Sequence, residues 1–247
     1  IYLDTPALTT DVQTQIGNCL LAISSWMNRR HLKLNLAKTK LMVFPPKPGP
    51  PPPFTITIDG ITINPVNSAS CLGVIFDQSL SFSNLINNTA KTGRFFLRNI
   101  TKIRPFLSQV TAKTLIHALI LFRLDYCNLI LTGLPDSHLS PLQSILNSAA
   151  RILLLSPKRE PGVSIPLSSL AWLPVKQRIA YKILQLTFKA LHASAPHYIS
   201  SLVSLHVPGH LHRSSQSLRL FTPSTPTALS CLKPFYLAAP YLWNYIP

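Results

Sequence analysis

The sequence predicts an α+β fold, mainly α: one helix and a few short antiparallel strands up to residue 82, then a mostly helical region. Three observations carry this reading. Phe54-Thr55-Ile56-Thr57-Ile58 alternates strictly, runs into Asp59-Gly60 and is answered by Ile61-Thr62-Ile63, the pattern of a tight hairpin. Beyond residue 83 apolar residues recur at helical spacing, as in Leu115, Leu119, Phe122, Tyr126 and Leu129, and again in Leu139, Leu142, Ile145, Leu146, Ala149 and Leu153. A length of 247 residues with 47% hydrophobic content is enough to build the core of one large or two small domains.

Each element follows from local chemistry. Residues 1–8 read as the tail of a strand and its loop. Thr10-Asp11-Val12-Gln13 fits a capping box, with Thr10 capping and Gln13 reaching back. The helix it opens spans residues 11–30, its apolar face made of Val12, Ile16, Cys19, Leu20, Ile23, Trp26 and Met27. A short strand is expected over residues 40–44. The proline run at 45–53 must then be polyproline II, because proline fixes φ and lacks the donor a ladder needs. It serves as a stiff loop or, alternatively, as a ligand for a proline-binding domain. A further strand is expected over residues 71–76.

Helices are expected over 84–103, 109–131, 137–155 and 174–192, with a weaker one over 196–205. Gly133-Leu134-Pro135 and Ser156-Pro157 stop two of them, and Pro174 suits a first helical position. The organisation is therefore a small mixed piece at 1–82, a helical region at 83–205 and an irregular segment at 206–247. There is no internal repeat.

The charge is one-sided: 23 Lys plus Arg against 7 Asp plus Glu, a net charge of +16. Such a balance calls for a polyanion, and nucleic acid is the commonest. Cys19, Cys71, Cys127 and Cys231 are far apart without a CxxC pair, and read as buried apolar residues in a reducing compartment. No signal peptide is evident, and the best membrane candidate, residues 115–134, is interrupted by His117, Arg123 and Asp125. The expected location is intracellular, in the nucleus, the cytoplasm or both, with no secretion and no membrane partner. The chain starts at Ile1 rather than Met and stops at Pro247, so it is expected to be a piece of a longer protein.

Hydrolases and two-metal polymerases need convergent carboxylates. The acids here are Asp4, Asp11, Asp59, Asp77, Asp125, Asp136 and Glu160, none adjacent to another. Neither a nucleophile elbow, nor a Walker loop, nor an H-E-x-x-H helix occurs. His206, His210 and His212 cluster in a loop without a fitting partner set, so no metal site is expected.

The basic residues are better ordered. Lys91, Arg94, Arg98 and Lys102 fall within an arc of roughly 80° on a helix, and Arg178, Lys182 and Lys189 within about 40°. No acid interleaves on either helix. Both stripes are candidate contacts for the backbone of RNA or DNA, giving position and salt dependence rather than sequence readout. Phe95, Phe96 and Phe106 follow the first stripe and either stack bases or join the core.

Several motifs together resemble a known family. Leu32-x-Leu34-Asn35-x-x-Lys38-Thr39-x-x-Met42-Val43-Phe44 resembles motif D of reverse transcriptases from non-LTR (LINE-type) retrotransposons. Leu72-Gly73-Val74-x-x-Asp77-x-x-Leu80-x-Phe82 resembles the following motif E, the primer grip. Arg123-Leu124-Asp125-Tyr126-Cys127-Asn128 with Gly133-Leu134-Pro135 is similar to the helical thumb region of such elements in vertebrates, particularly fish. So are Leu170-x-Trp172-Leu173-Pro174-Val175, Tyr181-Lys182-Ile183-Leu184, Lys189-Ala190-Leu191-His192 and Ala238-Ala239-Pro240-x-Leu242-Trp243-Asn244.

The resemblance covers nearly the whole chain and implies a palm remnant followed by a thumb-like region. It implies a parent that copies RNA into DNA with Mg²⁺, whose metal-binding Tyr-Ala-Asp-Asp turn, together with the rest of its palm and its fingers, lies before Ile1. It places the motif D lysine, a candidate general acid for the leaving pyrophosphate, on Lys38, and a primer-grip-like turn on Leu72 and Gly73. The chain itself is then expected to hold no cofactor, to lack activity alone and to bind nucleic acid. The alternatives are a non-enzymatic RNA- or DNA-binding module and a scaffold built on the proline run.

Overall fold

The computed structural model describes residues 9–44, 54–58, 60–155, 165–206, 219–223 and 234–246. The fold is α+β and mainly α, and the described strands form two separate two-stranded antiparallel sheets. The chain divides into one compact unit over residues 1–84 and another over 85–247.

In the first unit, α1 (Thr10–Arg29) is capped by Thr9 rather than Thr10; the Thr9 hydroxyl accepts the Val12 N–H at 3.4 Å. Gln13 does not reach back to the cap. Its amide instead donates to the Thr55 carbonyl at 2.6 Å, so a tertiary acceptor replaces the local one and ties α1 to the hairpin. That hairpin is β1 (Ile56–Ile58) and β2 (Ile61–Ile63), with Ile58 opposite Ile61 and Gly60 at φ 78°. Phe54, Ile56 and Ile58 are buried beneath Val12, Ile16 and Leu20 of α1, with Leu34, Leu36, Leu41 and Val43 closing the sides. Full burial of each such side chain is worth roughly 1.5–3 kcal/mol.

Three expectations for this unit are corrected. The strand over 40–44 is reduced to one bridge between Leu41 and Pro65, because Pro65 has no N–H to extend a ladder; Leu41 and Val43 serve as core plugs instead. The strand over 71–76 is a second hairpin, β3 (Ser68–Cys71) and β4 (Val74–Asp77), turning at Leu72 (φ 49°) and Gly73 (φ 80°). Positive φ at both central residues is the two-residue turn that matches strand twist. Cys19 and Cys71 are exposed, not buried, as is Cys127 of the second unit; Trp26 is exposed too, its ring 5.8 Å from the Arg30 guanidinium.

The second unit begins within α2 (Ser83–Ile103), followed by α3 (Gln109–Ile116), a π turn (His117–Leu121) and α4 (Phe122–Asp125). The single helix expected over 109–131 is thus broken. Phe122 donates its N–H back five residues to the His117 carbonyl, Cys127 turns at φ 52°, and Asn128–Leu131 is a 3₁₀ turn. Next come α5 (Asp136–Leu154), α6 (Ile165–Ser169) and α7 (Val175–Leu191). Pro174 is the cap of α7 rather than its first residue, and the Val175 N–H is taken by Gln143 Oε1 of α5 at 2.9 Å.

Of the weak helix over 196–205 only α8 (His197–Ser200) forms. Residues 206–247 are not wholly irregular: α9 (Phe235–Asn244) packs on α7, and the Asn244 amide both donates to and accepts from the Leu220 backbone, at 2.9 and 2.8 Å. The core centres on α5, where Leu139, Leu142, Ile145, Leu146, Ala149 and Leu153 are buried. Gly93 lets α2 come close: a Cβ there would lie 3.0 Å from an Ile145 methyl.

The strand tail at 1–8, the proline run at 45–53, Ser156-Pro157, His210, His212 and Cys231 lie outside the described residues. Among the described residues, no helix is long and apolar enough to cross a membrane.

Candidate nucleic-acid interface

The geometry of α2 follows from its two faces. Ile86, Ala90, Gly93, Leu97 and Ile100 are buried on one side. Lys91, Arg94, Arg98 and Lys102 are all exposed on the other, spread over about 16 Å of helix. None of the four forms an ion pair among the described residues. Phe95 lies on the same face, four residues from Lys91 and three from Arg98, and is 59% exposed. Phe106, just beyond the helix end, is 88% exposed. Neither ring belongs to the core. Phe96 is half-buried, edge-on to Phe95 at 5.5 Å, with the Arg123 guanidinium of α4 over its ring at 5.0 Å. Arg123 is a cation beside α2 that sequence spacing on one helix could not reveal.

The second stripe is not uniform. Lys182 and Lys189 are exposed, but the Arg178 guanidinium is committed to another element. Its Nη1 meets both Asp125 oxygens, at 2.7 and 3.0 Å, and its Nε donates to the Leu173 carbonyl at 2.9 Å. The Arg178 side chain is only 15% exposed. It pins α7 to α4, so it does not stand free on the stripe as Lys182 and Lys189 do.

In the first unit, Lys38 is exposed at the end of a 3₁₀ turn, Leu36–Lys38, whose cap is the Asn35 carboxamide accepting the Lys38 N–H at 3.1 Å. Leu72 and Gly73 form the tip of the β3–β4 hairpin, Leu72 being 86% exposed. Asp77 of the same motif is an architectural group. Its carboxylate accepts the Ser79 hydroxyl at 2.7 Å and the Ser81 and Phe82 N–H groups at 2.8 and 2.7 Å. Burial alone would raise its pKa, but these hydrogen bonds together outweigh it and hold the carboxyl below its ordinary value. The turn so fixed carries Leu80 and Phe82 at φ 52° and 54° and places Phe82 in the core, edge-on to Phe76.

The described acids do not fit a Mg²⁺ site. Asp77 is held by its own turn, Asp125 is bound to Arg178, and Asp136 pairs with Lys176 at 3.0 Å. Among the described residues no three His, Cys, Asp or Glu side chains converge. Sequence spacing also missed Arg104, which is 6% exposed and forms no ion pair among the described residues. It donates to the Ile152 and Leu153 carbonyls at the end of α5, to the Leu107 carbonyl and to Gln109 Oε1, at 2.8–3.1 Å. The negative end of a helix dipole is its counter-charge.

The chain matches no protein-family model, no curated protein and no solved structure.

Proposed function

We propose that the chain is the palm edge and thumb-like region of an RNA-directed DNA polymerase of a non-LTR retrotransposon, with α2 as its contact to the nucleic-acid backbone. The observation that carries the contact is the α2 face itself. Four cations of one sign stand exposed with no described counter-ion, and an exposed phenylalanine lies among them. A like-charged face repels itself until a polyanion covers it, and a ring between the charges offers a base a stacking surface. Lys182, Lys189 and Arg123 extend the positive field. The motif resemblance supports the polymerase origin, with Lys38 as the residue that would protonate pyrophosphate and Leu72-Gly73 as the tip that would meet a primer. On this reading the metal-binding carboxylates and the Mg²⁺ chemistry belong to the parent, and residues 1–247 bind without polymerising. A non-enzymatic RNA- or DNA-binding module uses the same α2 surface.

The test joins two measurements. Binding of a single-stranded RNA is titrated against salt, with an expected slope of roughly −3 in log K from four phosphate contacts. Replacing Lys91, Arg94, Arg98 and Lys102 by Gln removes most of that slope. Primer extension on an RNA template with Mg²⁺ yields no product. Salt-independent binding refutes the interface, and extension above background refutes the lack of polymerisation.

A further inference from the structure

We propose that the groove walled by α3, the π turn, α4 and α7 binds a single nucleotide, its phosphate held by Lys113 and Arg178 and its base laid against Phe122. The site lies off the α2 stripe and shares no residue with it, so it goes beyond the strand interface. The groove is open to solvent and has a volume of about 670 Å³.

Three independent features converge there. The first is the π turn. An i→i+5 turn carries one residue more than an α turn, is uncommon, and recurs at functional sites. Here its residues His117 and Leu121, with Phe122 just after, form one wall. The second is charge. Among the described residues, Lys113 makes no ion pair, and Arg178 uses Nε and Nη1 while Nη2 has no partner. Asp125 orients that guanidinium, much as a carboxylate positions an arginine for a bound anion. The third is an apolar surface with one open ring: Phe122 is 72% exposed beside buried Leu121. A lone anion needs no ring, and an apolar ligand needs no cations. A phosphate joined to a flat aromatic base uses both.

His117 supplies the reporter. Its ring lies edge-on to Trp172 at 5.6 Å. Burial first, then the fields of Lys113 and Arg178, hold its pKa below the ordinary value, against the opposing pull of Asp125. A phosphate in the groove reverses that field and raises the His117 pKa, so by linkage binding tightens as the pH falls.

The experiment uses the full chain, residues 1–247. AMP, adenosine and inorganic phosphate are titrated by calorimetry, and the His117 ring protons are followed by NMR. AMP is expected to saturate at millimolar concentration or below. Adenosine and phosphate each bind about tenfold or more weakly, since each lacks one half of the ligand. Lys113→Ala weakens AMP by about tenfold, and Phe122→Ala by about fivefold or more. Replacing the four α2 cations by Gln leaves AMP binding unchanged while RNA binding falls, which separates this site from the strand interface.

A 5′-phosphorylated RNA and its 5′-hydroxyl twin then compete with AMP in that α2 variant. Displacement by the phosphorylated strand alone identifies a strand terminus as the source, and displacement by neither identifies a free nucleotide; both support the site. The proposal is overturned by no saturable AMP binding at about 10 mM. It is also overturned by equal binding of adenosine and AMP, by an unshifted His117, or by capture of a Glu-rich peptide in place of AMP.

Discussion

α2 and α7 look alike in sequence, each an amphipathic helix with a single-signed stripe, yet they treat their cations differently. On α2 all four stand in solvent without a described counter-ion. On α7 the first of three is folded onto Asp125, 53 residues earlier, and only Lys182 and Lys189 remain open. Arg104, at the end of α2, goes further and is wholly internal. A stripe of positive residues along one helix is therefore not a surface until every neighbouring element has been searched for its acids and helix ends. Partners on distant elements decide whether a cation serves the fold or a ligand.

The largest effect that sharpens this contrast is expected at Arg104. Arg104→Ala leaves the carbonyls at the end of α5 without their donor in a buried site and costs about 3–5 kcal/mol in denaturant unfolding. Arg104→Lys keeps the charge but not the fork and recovers only part of it. Next is Phe95→Ala, which removes a stacking surface and weakens single-stranded RNA binding by about 1–3 kcal/mol. Its salt slope and unfolding midpoint stay near those of the parent, because the ring is exposed.

A smaller effect is expected at Asp77. Its folded pKa is depressed, so its contribution is complete above the usual carboxylate range and fades as pH falls through the folded value. Asp77→Asn therefore costs roughly 1–2 kcal/mol at neutral pH and flattens the loss of stability below about pH 4. The smallest effect is at Arg178. Arg178→Gln costs about 1 kcal/mol of stability and changes the RNA salt slope by less than one unit. A change as large as that of an α2 cation would erase the distinction between the two helices.

Much of the fold was legible because it is written locally. The 3.6-residue spacing of Leu139 to Leu153 and the hairpin turn at Gly60 need nothing from elsewhere in the chain. The α2 face was legible for the same reason, since its four cations and its buried residues lie on one element. The hidden features depend on distant partners or on unfavourable local choices. The β3–β4 turn was hidden because Leu72 is a poor residue for positive φ, and only Gly73 signalled it. α9 was hidden by Pro240 within it, whose missing N–H argues locally against a helix that packing on α7 sustains. The Asp125–Arg178 pair and the internal role of Arg104 are contacts across about 50 residues, which no spacing rule records.

The π turn has a consequence for chain length. It holds one residue more than a continuous α-helix between Ile116 and Phe122 requires, since the Phe122 N–H spans to His117 rather than to Ala118. Deleting a single residue such as Ala118 therefore shortens the chain without rotating α4 about the helix axis. The i→i+4 ladder closes through the gap, α4 keeps its angular phase, and Asp125 still meets Arg178. In this segment a one-codon deletion is structurally milder than many substitutions, and it erases the groove wall while sparing the helix that bears it.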